Sequence, residues 1–281
     1  MSVQIIIDST ADLAAGLEQR VKIVPLTIHF GEKEYVSGVD ITTNQFYELL
    51  VKSEELPKTS QPTPLAFEEA FQEAVDAGND VVCITLSSKL SGTYQSASIA
   101  ASEFPGKVFV VDSRTVAIAA GLLTDYALKL VDQGLSAEQI VATLTEKREK
   151  VRLYALVDTL EYLKKGGRVS STVAFAGGLL NIKPMIEVAD GEVRMAGKAR
   201  GAKQGNALLM QAVEKSGGVD FTMPAMLGYT GVDDSGLQKF LEENGSFWSG
   251  DGKQVSTQVV GSVVGTHAGP GAVAIAYFAA G

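Results

Sequence analysis

Two short stretches of the chain are dense in hydroxyl groups. KTSQPTP supplies Thr59, Ser60 and Thr63, and LSSKLSGTY supplies Ser87, Ser88, Ser91, Thr93 and the phenol of Tyr94. A third stretch, HAGPGA, holds His267, one of only two histidines. Hydroxyls donate hydrogen bonds to an oxyanion without adding charge, so together with a histidine they make a grip for a carboxylate or phosphate. At element ends the same residues also cap helices, and for Ser87, Ser88 and Thr93 capping stands level with ligand binding. KKGGRVSS is a further anion candidate. Arg168 offers planar donors and the segment after it a Ser-capped start, against a solvated turn with Lys164 and Lys165 simply on the surface.

Other chemistries for His267 are poorly supplied. A zinc or iron site needs several His, Cys or carboxylate ligands, and the other histidine, His29, sits in an alternating strand pattern as a half-exposed residue. No metal is expected. A Ser-His hydrolase with Ser91 as nucleophile and His267 as base stays open as an alternative, although no G-x-S-x-G elbow is present. A histidine hydrogen-bonded within its own turn is a third reading. The glycines of HAGPGA precede an apolar run instead of opening a helix, so they are no dinucleotide fingerprint, and no G-x-x-x-x-G-K-[ST] motif exists. The chain thus offers no nucleotide site of its own. Asp8 and Asp112, at strand ends, can bind magnesium or cap neighbouring helices, and capping is preferred.

Positioning these groups requires a sheet. VQIIIDST reads as a buried strand that delivers Asp8, Ser9 and Thr10 to a loop. VKIVPLTIHFGEKEYV continues as extended stretches around Gly31, TTNQFYELLVKS as a Thr-capped helix, and LPKTSQPTP as a Pro-flanked loop. LAFEEAFQEAVDAG, GTYQSASIAASEF, TVAIAAGLLTDYALKLVDQG and SAEQIVATLTEKREKV read as helices, with DVVCITLS and KVFVVDS as strands between them. That alternation predicts a parallel sheet covered by helices, with ligands outside the carboxyl ends of the strands. From VRLYALVDT the rhythm changes, and DGEV between two extended runs predicts a hairpin. The expected architecture is α/β in two domains, residues 1–150 with a parallel sheet and residues 151–281 with antiparallel pairs. His267 is expected in a glycine-rich turn between two strands.

Composition narrows the function. The chain of 281 residues is 46% hydrophobic and 20% charged, enough for a packed core. A net charge of −9 argues against nucleic acid, whose binders cluster Lys and Arg. The single cysteine, Cys83, reads as a buried strand residue. The N-terminus lacks signal-peptide features, so a cytoplasmic location is expected. Residues 254 to 281 carry no charged side chain, yet Gly261, Gly265, Gly269, Pro270 and Gly271 interrupt them, so no integral membrane segment is expected.

Taken together, DSTADL at 8 to 13, KTSQP at 58 to 62, LSSKLSGTY at 86 to 94, VDS at 111 to 113, GGRVS at 166 to 170, NIKP at 181 to 184 and HAGPGA at 267 to 272 resemble the DegV family. The resemblance runs from residue 5 to near the C-terminus. It implies a bacterial fatty-acid-binding protein with two α/β domains and an acyl tunnel between them. It further implies the FakB-type role, the acyl-carrying subunit of a fatty acid kinase. By the same resemblance, Thr59, Ser91 and His267 hold the fatty-acid carboxylate, and Arg168 lies on the phosphate or kinase-facing side. The partners implied are a long-chain fatty acid, a separate ATP-dependent kinase and, for lipid exchange, transient contact with a membrane. No cofactor is implied. One departure is RTVAIAAG after VDS, where the family often has Ser or Gly; the bulk of Val116 and Ile118 bears on acyl-chain preference.

Overall fold

The computed structural model describes residues 2–169 and 181–281, so Ser170 and the stretch STVAFAGGLL lie outside the described residues. The chain opens with β1 (Ser2–Asp8), β2 (Val21–Val24), β3 (Thr27–Phe30), β4 (Lys33–Val36) and α1 (Thr43–Lys52). It continues with β5 (Lys58–Ser60), α2 (Pro64–Asp76), β6 (Asn79–Thr85), α3 (Thr93–Ala101), β7 (Val108–Asp112), α4 (Ala117–Asp132) and α5 (Ala137–Lys147). Then come β8 (Val151–Leu156), α6 (Glu161–Lys165), β9 (Ile182–Ala189), β10 (Glu192–Arg200) and α7 (Gly201–Lys215). β11 (Ala225–Tyr229), α8 (Ser235–Trp248), β12 (Val255–Val259), α9 (Ser262–Ala268) and β13 (Val273–Phe278) complete the chain.

Three sheets result. A parallel sheet runs β2-β1-β6-β7, a mixed sheet β10-β9-β8-β13-β11-β12, and a small antiparallel sheet β4-β3-β5. The expected mixed α/β class and the hairpin at DGEV are both found. β9 and β10 pair antiparallel, and Asp190 (φ 52°) with Gly191 (φ 83°) takes the doubly left-handed path of a tight hairpin turn.

The two larger sheets share a core. The first half of α4, Ala117 to Leu123, is apolar and buried on all sides, as a helix segment between two layers must be, and its charges fall in the second half. It packs on β1 from one side and on β8, β11 and β13 from the other. Ile5, Ile7 and Val82 of the parallel sheet therefore join Met226, Ala274 and Phe278 of the mixed sheet in one cluster around Ile118, Leu122 and Leu123. Gly121 is where the chain comes closest, for a Cβ there would meet the Asp12 carbonyl oxygen at 1.9 Å.

Several local expectations need correction. KTS of KTSQP is not loop but β5, recruited as an edge strand onto β3. VKIVPLTIHFGEKEYV makes three strands, and only β3 and β4 form a hairpin around Gly31. Asp8 and Asp112 cap no helix. Asp8 accepts from Thr10 N, Thr10 Oγ1 and Leu86 N, and Asp112 from Ser88 N, Ser88 Oγ and Arg114 N, so each carboxylate ties down strand-end loops. α8, with Leu237 and Phe240 buried, lies in a segment where the sequence reading placed no element.

The largest correction concerns His267. SVVGTHA forms the short helix α9 and not a strand, so the histidine sits in a last helical turn and only the segment after it is extended. The polar residues of this run explain the helix. Thr266 donates back to the Ser262 carbonyl, and Gly269 (φ 71°) ends the helix in the left-handed region.

Candidate functional site

α9 is the device that brings the site together. Its chain neighbours, β12 and β13, belong to the mixed sheet, yet the helix itself packs on α1, β3, β5 and α6. At its start, Gly261 N donates to Asp12 Oδ1 at 2.8 Å. One residue on, the Ser262 and Ser37 hydroxyls lie 3.0 Å apart. In its middle, Gly265 allows contact with Phe46 and Tyr47: a Cβ there would lie 2.5 Å from the Tyr47 hydroxyl oxygen. Tyr47 in turn donates to the Val260 carbonyl at 2.8 Å. Anchored at these points, α9 presents His267 to β5.

There His267 Nε2 lies 2.9 Å from Thr59 Oγ1. His29 makes the parallel contact one residue along, its Nε2 lying 2.9 Å from Ser60 Oγ. Thr63, the remaining hydroxyl of KTSQPT, caps α2 by accepting from Ala66 N. The bland reading holds for Thr63, while Thr59 is drawn into the site.

The other face of His267 is closed. Gly166 lies so near that a Cβ would fall 2.3 Å from Nδ1, and Nδ1 itself has no hydrogen-bond partner among the described residues. Gly269 makes similar room for the Tyr162 ring. Burial, reinforced by the Arg168 guanidinium, lowers the imidazole pKa to about 4, so at neutral pH the ring is uncharged. Arg168 is itself fixed, its Nε donating to the Leu90 carbonyl at 3.3 Å and its Nη1 reaching the Gly166 carbonyl. Ser91 Oγ lies 2.9 Å from Thr93 Oγ1, at the start of α3. Ser87 and Ser88 are used elsewhere, Ser87 donating to the Gly191 carbonyl of the β9–β10 hairpin and Ser88 to Asp112.

Thr59, Ser91, His267 and Arg168 all line one cavity of about 380 Å³. That size falls in the range of small-molecule sites. Its remaining wall is mainly aliphatic, with Leu90, Leu163, Val188 and Val264 among the contributors, drawn from strands of the mixed sheet, from α6 and α9, and from loops that follow the parallel-sheet strands. Val116 and Ala117 stand in that wall, whereas Ile118 packs against Gly228 instead. Ala117 is held at φ 58°, a backbone unfavourable for a residue with a Cβ. Thr10, expected in the loop at the carboxyl end of β1, does line the cavity, whereas Gln61 and Thr230 line it without having been singled out by the sequence. Gln61 was within reach, since it belongs to KTSQP, and its amide covers Gly92 closely enough that a Cβ there would meet Oε1 at 2.2 Å.

The hydrolase arrangement is not formed. His267 bonds Thr59 and makes no hydrogen bond to Ser91, and no carboxylate orients Nδ1. Among the described residues no cluster of three or more His, Cys, Asp or Glu side chains is placed to hold a metal, and no helix is long and apolar enough to cross a membrane.

An apolar cavity with hydroxyls, a histidine and an arginine in its wall, lined by mixed-sheet strands and by loops after the parallel-sheet strands, suits an elongated apolar ligand with one polar end. The model of the DegV family, described as an uncharacterised protein family, matches residues 2–280. A DegV domain-containing protein of Deinococcus radiodurans is 36% identical over 282 residues, covering 98% of both chains. The chain belongs to the DegV family. Among solved structures, one described as fatty acid binding of a DegV family protein from Thermus thermophilus superposes with a TM-score of 0.89 at 32% identity, covering 99% of this chain and 100% of that one. A stearic acid-binding protein from Eubacterium ventriosum superposes with a TM-score of 0.86 at 31% identity, covering 98% and 97% respectively.

Proposed function

We propose that this protein binds a long-chain fatty acid in the 380 Å³ cavity and presents its carboxylate to a separate ATP-dependent kinase, which converts it to an acyl-phosphate for phospholipid synthesis. The observation that carries the reading is the convergence of Thr59, Ser91 and His267 at one apolar cavity. Fatty-acid binding in the Thermus thermophilus and Eubacterium ventriosum relatives supports its first half. In this reading residues 1–150 and 151–281 act as two domains gripping the chain between them, and the protein works in the cytoplasm, meeting membranes transiently to exchange lipid.

Affinity and orientation come from different parts of the ligand. Each buried methylene contributes about 0.8 kcal/mol, so the chain supplies most of the binding. The headgroup needs direction more than strength. With His267 uncharged, its proton is assigned to Nε2, the nitrogen that meets Thr59 Oγ1, and the lone pair to Nδ1, which has no partner among the described residues. Nε2–H then donates to Thr59 Oγ1, which frees the Thr59 O–H for the ligand carboxylate. His267 thus acts through Thr59 as a positioning residue, and Ser91 supplies a second donor. Arg168 faces the phosphoryl group as it is transferred.

A reconstitution tests the division of labour. With γ-labelled ATP, fatty acid and a bacterial fatty acid kinase subunit, label should reach the fatty acid only when this protein is also present. Label transfer by this protein alone, or undiminished transfer without it, would contradict the carrier role.

A further inference from the structure

A second cavity, of about 270 Å³, adjoins the first and shares Leu153, Glu187 and Val188 with it. Its origin lies in the mixed sheet. β8 and β9 pair only between Tyr154–Leu156 and Met185–Glu187, so Val151–Leu153 and Val188–Ala189 diverge and leave a gap. The gap is at the far end from the headgroup. Val273, next to α9, pairs with Leu156, while Phe278 pairs with Val151, so His267 lies beyond the end of β8 and the gap at its beginning. From Leu153 to Val157, both in the first cavity's wall, an extended chain covers about 13 Å.

The first cavity is walled mainly by aliphatic side chains, but the second is walled by Arg114, Arg148 and Arg152. Two of its carboxylates are already engaged. Glu149 accepts from Arg114 at 2.8 Å and lies 3.4 Å from Arg148 Nε, while Asp190 lies 3.5 Å from Arg114 and 3.0 Å from Arg194. Arg152 has no carboxylate partner among the described residues. Its Nη1 donates to the carbonyls of Glu149 and Val151, at 2.8 and 3.1 Å, and its other nitrogens have no acceptor there. Thr115, also in the wall, is buried with its hydroxyl unpartnered among the described residues. Glu187 is the opposing charge, a carboxylate without an ion pair among the described residues, on β9 across the gap from Arg152.

We propose that this second cavity is an oxyanion subsite at the far end of the acyl cavity, with Arg152 as its principal donor. A planar guanidinium with free donors suits a carboxylate or a phosphate. That group reaches it either as the distal carboxylate of a long-chain dicarboxylic acid or as a free anion; the first source rests on the fatty-acid reading above.

Calorimetric titrations of the delipidated full chain decide it, using a saturated long-chain fatty acid, the dicarboxylic acid of equal length, and inorganic phosphate. The dicarboxylic acid should bind, weaken about tenfold in Arg152→Met and tighten in Glu187→Gln, while the fatty acid keeps its affinity in Arg152→Met, whose side chain lines only the second cavity. That constant affinity also reports that Arg152→Met is folded. Rejection of the dicarboxylic acid alongside Arg152-dependent phosphate binding assigns the site to a free anion. If neither oxyanion shows dependence on Arg152, the subsite is overturned, whatever the fatty acid does. Failure of the unmodified protein to bind the fatty acid overturns the fatty-acid reading instead, and phosphate still tests the subsite.

Discussion

Gly166 and Gly167 are adjacent, yet the structure assigns them different duties, and alanine substitutions separate the two. Gly166 has a helical backbone that any residue adopts, but its missing Cβ is what admits His267, since a methyl there would lie 2.3 Å from Nδ1. Ordinary contact needs roughly 3.4 Å or more, so the imidazole must move by about 1 Å. It cannot retreat in line, because Thr59 Oγ1 stands 2.9 Å from Nε2 on the opposite side. The ring must rotate, which breaks the bond that aims the Thr59 hydroxyl. Losing one oriented donor to a carboxylate is worth about 1.4 kcal/mol, or about tenfold in Kd. Gly167→Ala is the reverse case: nothing lies within 4 Å, but φ is 71°, so it destabilises the fold by about 1 kcal/mol through backbone strain. Fluorescent fatty-acid displacement together with thermal unfolding reads both. Gly166→Ala with native affinity, or Gly167→Ala with native stability and weakened binding, would refute this account of the loop.

Other perturbations follow from the same geometry. Ser91→Ala and His267→Ala should leave the unfolding cooperative but cut kinase-dependent acyl-phosphate formation by about tenfold or more, measured by label transfer from ATP. Val116→Phe should shorten the cavity and shift preference toward shorter chains in competition binding. The pH dependence of stability should contain two opposed parts. His267, lowered from 6.5 to about 4, gives stability that is full above 6.5 and is lost as pH falls toward 4, because the unfolded chain takes the proton first. Asp12, raised from 3.8 to about 7 by burial, gives stability present at low pH and lost as pH rises from 3.8 toward 7. Against the unmodified protein, denaturant titrations of Asp12→Asn should therefore show stability climbing more steeply with pH between 4 and 6.5, and those of His267→Gln climbing less or falling.

Much of the fold was legible because periodicity is a local property. The alternation of strands and helices through Lys147, the threonine cap of TTNQFYELLVKS and the Asp-Gly hairpin all declare themselves within a few residues. The site's residue types were legible too, in Thr59, Ser91, His267 and Arg168. Their partnerships were not. That His267 bonds Thr59 depends on α9 leaving one sheet system to lean on another, which follows from contacts between residues 208 positions apart. α9 defies a local strand reading because Val263, Val264 and the glycines around them are poor helix formers, while contacts from Asp12, Ser37 and Tyr47, distant in sequence, anchor its start. α8 escaped notice because its interior Gly236 and Gly245 dilute the helical signal. The second cavity arises from strand divergence, a feature of register that no motif encodes.

The central claim is that this protein carries a fatty acid between its two sheet systems. Its most direct test is organic extraction of the protein purified from a bacterial host, followed by mass spectrometry. The account predicts about one equivalent of long-chain fatty acid per chain, falling in Gly166→Ala; protein recovered folded and free of fatty acid, and unable to take one up, would contradict it.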